Sequence, residues 1–215
     1  MKHVRILLPI SHEGTTLSCR DVACSLAKRF GVALEILHPC AAAWQRVPYS
    51  TELSPFYSQE LIDIGREQVL AEQEEARKWC DEMTGAHPGI ASRFASADGF
   101  VVQIVGSKAR LADFTVVPSI GAKDDAFWSG VREGALIHSG KAMLAVPDGA
   151  SAVAGRTVVV AWKDGAAAAR AVTAAAPFFD RAKEVRLVSV EEAGGNDDSL
   201  AAMTEYLTLA GVPVA

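Results

Sequence analysis

Two segments of the chain share one order of apolar and polar residues, and this repeat is the strongest constraint on the fold. The first, VRILLPISHEG, spans residues 4–14, and the second, RTVVVAWKDG, spans residues 156–165. In each, an apolar run passes abruptly into polar residues. Aligning Ile6 with Val158 also aligns the helical pattern and the second apolar run that follow each segment. One self-match at a spacing of 152 residues predicts a duplicated domain rather than a solenoid.

The first copy opens with a strand–helix–strand pattern. Residues 4–10 form an apolar run that is typical of a strand buried on both faces. Residues 14–30 carry apolar side chains at helical spacing, and Gly31 follows where a left-handed helix cap is favoured. A second apolar run covers 32–39, and Pro39 is predicted to end that strand. Strands joined by a helix in this way are parallel and have a right-handed connection, so the pattern predicts a parallel sheet.

The same alternation of strands and helices continues through the first 150 residues. After an aromatic-rich loop at 40–57, the predicted elements are a charged helix at 58–84, a strand at 89–95, a helix from an Asp98 cap to Leu111, a strand at 113–119, a helix at 126–140 and a strand at 141–147. The sequence therefore predicts an α/β domain over residues 1–150 with five parallel strands.

Residues 156–215 are predicted to form a partial second copy, after a small-residue linker at 148–155. Its predicted elements are a strand at 156–162, a helix at 166–176 with Asp164 as its N-cap, a strand at 183–191, a helix at 199–210 and the opening of a third strand at 212–215. Half a sheet leaves an unpaired edge and an uncovered face. Either this half sheet lies against the first unit, or a partner chain completes it, or the gene product is longer than this chain. We expect the last, because the sequence ends inside an apolar pattern.

Composition and charge exclude several classes of function. The net charge is −5 and no block of Lys or Arg occurs, so nucleic acid is not an expected partner. No apolar run reaches the length of a membrane span, and the N-terminal apolar run is too short for a signal peptide. The cysteines Cys19, Cys24, Cys40 and Cys80 form no CxxC pair and have no zinc-like spacing to histidine, so no metal site is expected. We expect a cytoplasmic protein with reduced thiols.

Several segments resemble the universal stress protein family in its tandem-repeat form. They are ILLPISHEG…ACSLAKRFGVALEILH, ADFTVVPS…GALIHSGKAMLAVP and VVVAWKDGAAAARAVTAAAPFFDRAKEVRLVSV, and the likeness covers residues 1–38 and 98–190. The resemblance implies a doubly wound sheet with strand order 3-2-1-4-5. It also implies a homodimer through the last strand, 141–147. That strand is apolar on both faces, and its open edge favours pairing with a second copy.

Nucleotide-binding members of that family hold ATP at the carboxyl ends of the first and fourth strands, where open α/β sheets form a crevice. The matching residues after the first strand are Ile10 and Ser11, and His38 ends the second strand nearby. The family places an aspartate at the position of Ser11, which offers no carboxylate. The corresponding position of the second copy is Lys163.

After the fourth strand, nucleotide-binding members carry the loop Gly-x2-Gly-x9-Gly-Ser/Thr, in which backbone N–H groups approach phosphates. Gly121 matches the second glycine, and the pair Ser129-Gly130 matches the end of the loop in reversed order. Pro118 replaces the first glycine and has no N–H to donate. The candidate cofactor of this degraded site is ATP or another adenine nucleotide.

Three functions remain open on this basis. The preferred hypothesis is a stress-associated binding or regulatory protein with little nucleotide affinity, because the βαβ pattern is duplicated and the glycine loop of its first copy is degraded. Asp124 and Asp125 in that loop would also repel a triphosphate unless a metal ion lay between them. The second is an ATP-binding regulator that hydrolyses ATP slowly. The third is an α/β enzyme that uses His12 or His38 as a base. The sequence contains no GxSxG, GxxxxGK[ST] or GxGxxG motif, so we do not expect the protein to be an enzyme.

Overall fold

The computed structural model describes residues 5–46, 55–121, 125–150, 156–189 and 198–215. The chain divides into two compact units, Met1–Val153 and Ala154–Ala215. The elements of the first unit are β1 (Arg5–Pro9), α1 (Leu17–Phe30), β2 (Ala33–Cys40), a 3₁₀ helix (Ala43–Arg46), α2 (Pro55–Ala86), β3 (Ser92–Asp98), α3 (Val101–Ala109), β4 (Phe114–Pro118), α4 (Ala126–Leu136) and β5 (Ala142–Val146).

The five strands of the first unit form one parallel sheet with the order β3-β2-β1-β4-β5. The predicted α/β fold and its strand order are therefore confirmed. The sequence order reverses between β1 and β4, and connections leave the sheet in opposite directions there. In open α/β sheets a crevice forms at that point, beyond the carboxyl ends of the strands.

Both faces of this sheet are buried, because helices cover each of them. On one face Leu7 and Leu37 pack in a cluster with Val105 of α3 and Trp128 of α4. Successive side chains of a strand point to opposite faces. Ile6 and its even-numbered neighbours on β1 and β2 therefore point to the other face, and they are fully buried as well. This burial explains why the strands are continuous apolar runs rather than alternating ones.

The prediction that Pro39 ends the second strand is wrong, since β2 continues through Cys40. The Leu37 carbonyl accepts from the N–H of Ile10, so the backbone polar groups of Leu37 and Pro39 point towards β1. Pairing of β1 with β2 ends at the register pair Pro9–Leu37. Pro39 therefore occupies a position where the ladder needs no N–H, and its ring costs no hydrogen bond.

The third predicted strand, 89–95, is also corrected, because β3 spans Ser92–Asp98. Asp98 is paired with Cys40 as the last residue of the strand and does not cap α3. The N-cap of α3 is Phe100, without a side-chain hydrogen bond. The long β2 offers a partner to every residue of β3, and the Gly99 N–H continues the ladder by donating to the Cys40 carbonyl at 2.9 Å.

The second unit contains β6 (Thr157–Ala161), α5 (Ala166–Phe179), β7 (Glu184–Val188) and α6 (Asp198–Leu209). β6 and β7 are parallel neighbours. Val214 makes a parallel bridge to Val185, as expected of the opening of a third strand. The N-cap of α5 is Gly165, so the prediction that Asp164 caps this helix is wrong. The linker at 151–155 and the predicted strand end at 190–191 lie outside the described residues.

The core of the second unit is small and centres on Trp162, which is 6% exposed and packs with Phe179 and Leu207. Its indole Nε1–H donates to Ser199 Oγ at 3.0 Å. Trp162 is thus a core residue that joins β6 to α6. Among the described helices of both units, none is long and apolar enough to cross a bilayer.

Candidate functional site

A crevice of about 460 Å³ opens at the carboxyl ends of β1 and β2 in the first unit. Five segments build its wall: the turn after β1, the end of β2 with the 3₁₀ helix, the middle of α2, and the N-termini of α3 and α4. The lining residues are Ser11, His12, Glu13, His38, Pro39, Cys40, Ala41, Arg46, Glu72, Val101, Asp125, Ala126, Phe127 and Trp128. A volume of this size is in the range of small-molecule sites.

His38 is a buried polar side chain in the wall of the crevice, 1% exposed. Its neighbour in the sheet register is Ser96 of β3, and Nδ1 lies 3.1 Å from Ser96 Oγ. Burial lowers the pKa of His38 to about 4, an effect that the nearby Glu72 carboxylate opposes and that His12 and Arg46 reinforce. The imidazole is therefore uncharged at neutral pH.

Arg46 and Glu72 form a two-bond ion pair in the wall of the crevice. Arg46 Nη1 donates to Glu72 Oε1 at 2.7 Å, and Nη2 donates to Oε2 at 2.6 Å. Arg46 Nε donates to the Ala41 carbonyl at 3.1 Å, so each of the three guanidinium nitrogens makes a hydrogen bond. The hydrogen bonds from Arg46 lower the pKa of Glu72. The pair ties the 3₁₀ helix to α2.

The N-terminus of α4 forms another part of the wall. The Asp125 carboxylate accepts from the Trp128 N–H at 2.8 Å, which is an N-cap hydrogen bond. Trp128 is buried, and its ring meets Phe127 edge to face at a centroid distance of 5.1 Å. This end of the helix is therefore already occupied by a negative charge of the chain itself.

Negative charge exceeds positive charge among the described residues that line the crevice. Among the described lining residues, the carboxylates of Glu13, Glu72 and Asp125 stand against the guanidinium of Arg46. His38 adds no positive charge at neutral pH, because its pKa is about 4. The crevice thus offers neutral hydrogen-bonding groups and an excess of negative charge.

A tight turn after β1 shapes the lip of the crevice. Ser11 and Gly14 exchange backbone hydrogen bonds of 2.8 and 3.0 Å, and Ser11 Oγ donates to the Gly14 carbonyl at 3.0 Å. Gly14 has a φ of +92°, and the Trp79 indole lies 2.1 Å from the place that a Cβ would occupy. Glycine is required here both by the backbone angle and by the packed indole.

The structure brings together some of the sequence-predicted site residues and separates others. Ser11 and His38 line the crevice, and Ile10 lies fully buried next to them. Gly121, Ser129 and Gly130 do not line it. Ser129 and Gly130 lie within α4 rather than at the end of a loop. Asp124 lies outside the described residues, whereas Asp125 lines the crevice.

Sequence reasoning did not identify Arg46 and Glu72, which are far apart in the chain. A signal for Glu72 exists in the helical period of α2. Val69, Ala76, Cys80 and Met83 form its buried stripe, and Glu72 falls on the same face between the first two. A charged residue on a buried stripe indicates a partner or a site. No comparable signal marks Arg46.

All four cysteines are free and buried. Cys40 lines the crevice, and its thiol donates to the Ala97 carbonyl at 3.6 Å. Burial raises the pKa of Cys40, so it remains a protonated thiol at neutral pH. Within the described residues, no group of three or more His, Cys, Asp or Glu is arranged to hold a metal ion.

No family model matches the chain, and the comparison with curated proteins found no match. Solved structures similar to the chain include several universal stress proteins. The universal stress protein UspA from Lactobacillus plantarum is 14% identical over 68% of this chain and 99% of its own, with a TM-score of 0.48. A universal stress protein in complex with cAMP is 15% identical over 68% of this chain and 98% of its own, with a TM-score of 0.43.

The universal stress protein from Archaeoglobus fulgidus in complex with dAMP is 16% identical, covers 68% of this chain and 99% of its own, and has a TM-score of 0.34. The cAMP and dAMP are ligands of those proteins. At such low identity, their binding does not transfer to the residues of this chain.

Proposed function

We propose that this chain is a regulatory binding protein of the universal stress class, and that its crevice holds an uncharged ligand of nucleoside size and binds ATP weakly. The sequence resemblance over residues 1–38 and 98–190 and the strand order 3-2-1-4-5 support the class. The place of the crevice, beyond the carboxyl ends of β1 and β2, supports a ligand-binding role.

The charge of the crevice wall is the observation that carries this proposal. A triphosphate needs several donors or cations around its oxygens, as at a glycine-rich loop or a lysine. Arg46 is already held by Glu72 through two hydrogen bonds, and Asp125 already caps α4. Among the described residues of the crevice wall, phosphates would therefore meet the carboxylates of Glu13, Glu72 and Asp125.

A competing enzyme function would use His12 or His38 as a general base, since both line the crevice. An efficient base has a pKa near the working pH, and the pKa of His38 is about 4. The hydroxyl of Ser11 donates to Gly14 and the thiol of Cys40 to Ala97, so neither is bonded to an imidazole. These contacts favour binding over nucleophilic catalysis.

Isothermal titration calorimetry of the purified chain with adenosine, AMP and ATP tests the proposal, without Mg²⁺ so that ligand charge is unscreened. Adenosine is expected to bind about tenfold or more tightly than ATP, because repulsion grows with each phosphate. Asp125→Asn keeps an N-cap acceptor while removing one charge, and it should raise ATP affinity with little effect on adenosine. Equal or tighter binding of ATP by the unaltered chain would overturn the proposal.

A further inference from the structure

His38 and Ser96 together determine which hydrogen-bonding group the crevice presents to a ligand. Ser96 Oγ lies 3.2 Å from the His38 carbonyl oxygen and 3.1 Å from His38 Nδ1. A hydroxyl has one proton to donate, and a carbonyl oxygen can only accept. Since the serine proton goes to the carbonyl, the contact at Nδ1 is a hydrogen bond only when Nδ1 carries the proton.

This arrangement fixes the tautomer of an uncharged imidazole. With its proton on Nδ1, the ring has a lone pair on Nε2, which is then an acceptor. In the described part of the chain, His38 lines the crevice, and its side-chain contact to Ser96 is made through Nδ1. Nε2 is not among the fully buried atoms that lack a partner, which agrees with access from the crevice. The N–H or O–H of a ligand can therefore donate to the Nε2 lone pair.

We propose that His38 Nε2 is a specificity-determining acceptor, which selects uncharged ligands that place an N–H or O–H donor against it. This inference rests on the proposed function of the crevice. It assigns the recognition of the ligand to one ring nitrogen on β2 rather than to a phosphate loop. Phosphate oxygens offer lone pairs, and they would meet the lone pair of Nε2 unfavourably.

The side chains near His38 are compatible with Nε2 acting as an acceptor for the ligand. Glu72 lies near it in the wall but is engaged by Arg46. His12 also lies near it from the turn after β1. A ligand that donates to His38 Nε2 therefore does not have to displace the ion pair between Arg46 and Glu72.

Two substitutions separate the nitrogen atoms of His38. The amide of Asn reaches the position of Nδ1 and retains a donor for Ser96, but it leaves nothing at the position of Nε2. The amide of Gln reaches the position of Nε2 and offers an acceptor there. His38→Asn should bind adenosine about tenfold more weakly than the unaltered chain, which is the usual effect of one lost buried hydrogen bond, whereas His38→Gln should remain within about threefold.

Analogues of adenosine that lack one donor identify the group that meets Nε2. The probes are purine riboside and the 2′-, 3′- and 5′-deoxyadenosines, titrated by calorimetry into the unaltered chain and into His38→Asn. One analogue is expected to bind the unaltered chain about tenfold more weakly than adenosine does. The same analogue should bind His38→Asn as tightly as adenosine does, because the substitution has already removed the hydrogen bond that the analogue lacks. ¹⁵N NMR of labelled histidine should show the Nδ1–H tautomer.

The outcomes separate the two proposals. If adenosine binds the unaltered chain and His38→Asn equally, or if every analogue loses the same factor for both proteins, the crevice binds a ligand but the role of Nε2 is wrong. An Nε2–H tautomer in the NMR spectrum also overturns that role. If neither adenosine nor any analogue binds the unaltered chain, the proposed function fails, and the inference fails with it.

Discussion

Arg46 holds Glu72 through two parallel hydrogen bonds of 2.7 and 2.6 Å, although 26 residues separate them in the chain. The two side chains are 23% and 25% exposed, so the pair is shielded from solvent on most sides. It is one link in the crevice wall between the 3₁₀ helix and α2. A planar guanidinium that meets a carboxylate in this way is among the stronger ion pairs of proteins.

Arg46→Ala is expected to lower the free energy of unfolding by roughly 1–2 kcal/mol, because it leaves the Glu72 carboxylate partly buried without its partner. Arg66→Ala is the matched control. Arg66 contacts Asp63 at 2.8 Å, but these side chains are 65% and 56% exposed, so the change should be within about 0.5 kcal/mol. Urea unfolding at pH 7 measures both variants.

The ion pair between Arg46 and Glu72 should stabilise the folded chain less at low pH. Its hydrogen bonds lower the pKa of Glu72, so its contribution to stability is present above the ordinary pKa of a glutamate and is lost as the pH falls through the lowered pKa. The difference between the unaltered chain and Arg46→Ala should therefore shrink in acid. A difference that stays constant from pH 7 to pH 3 would contradict this account.

The sequence predicts the order of the elements better than it predicts their ends and the site. The apolar runs of β1 and β4 are buried on both faces, and that pattern is visible in the residues alone. The end of β2 cannot be read from the residues alone, because whether Pro39 ends the strand depends on which neighbouring strand its nitrogen faces. Likewise, Ser129-Gly130 matches a loop motif by composition, but these residues lie in α4, which starts immediately after its Asp125 cap.

Because His38 is buried, we predict that the stability of the folded chain falls in acid and that His38→Gln removes this contribution. The unfolded chain takes up a proton near the ordinary histidine pKa of 6.5, whereas the folded chain does so only near pH 4. Between these values the unfolded state binds more protons, so stability falls as the pH falls. The loss from this group is about 2 kcal/mol at pH 5 relative to pH 7.

In His38→Gln, residue 38 no longer titrates in this range, and the neighbouring side chains of Glu72, His12 and Arg46 are unchanged. Guanidinium unfolding of both proteins at pH 7 and pH 5 measures the effect, and each is compared with itself. The unaltered chain should lose more stability than the variant. An equal loss would mean that His38 is protonated in the folded state at pH 5.

Gly14 and Gly31 provide a matched pair of positions for one substitution. Both have positive φ, +92° and +65°, but the Trp79 indole lies 2.1 Å from the Cβ position at Gly14, whereas the space at Gly31 is open. Gly31→Ala should lower the free energy of unfolding by about 1 kcal/mol through backbone strain alone. Gly14→Ala should cost about 3 kcal/mol, because the indole must move as well.

Thermal and urea unfolding of the two variants measure this difference. Gly14 also accepts and donates the hydrogen bonds of the Ser11 turn at the lip of the crevice. Gly14→Ala should therefore weaken adenosine binding, whereas Gly31→Ala should not. Equal destabilisation by the two alanines would show that Trp79 yields without cost.

The edge strand β5 predicts self-association of the chain. Among the described strands it pairs with β4 alone, and an unpaired strand edge favours pairing with a second copy. Met143 packs against the core cluster that contains Trp128, and a charge there would unfold the domain. Ala145 is exposed on the same strand and is the better site for a test.

The unaltered chain is expected to be a dimer in light scattering, and Ala145→Lys is expected to be a monomer, because each copy would bring an added positive charge to the new pairing. Leu111→Lys is the control, since Leu111 is 70% exposed outside β5 and its change should leave the dimer intact. Circular dichroism must show that both variants are folded. A folded Ala145→Lys that remains dimeric, or a monomeric unaltered chain, would exclude pairing through this edge.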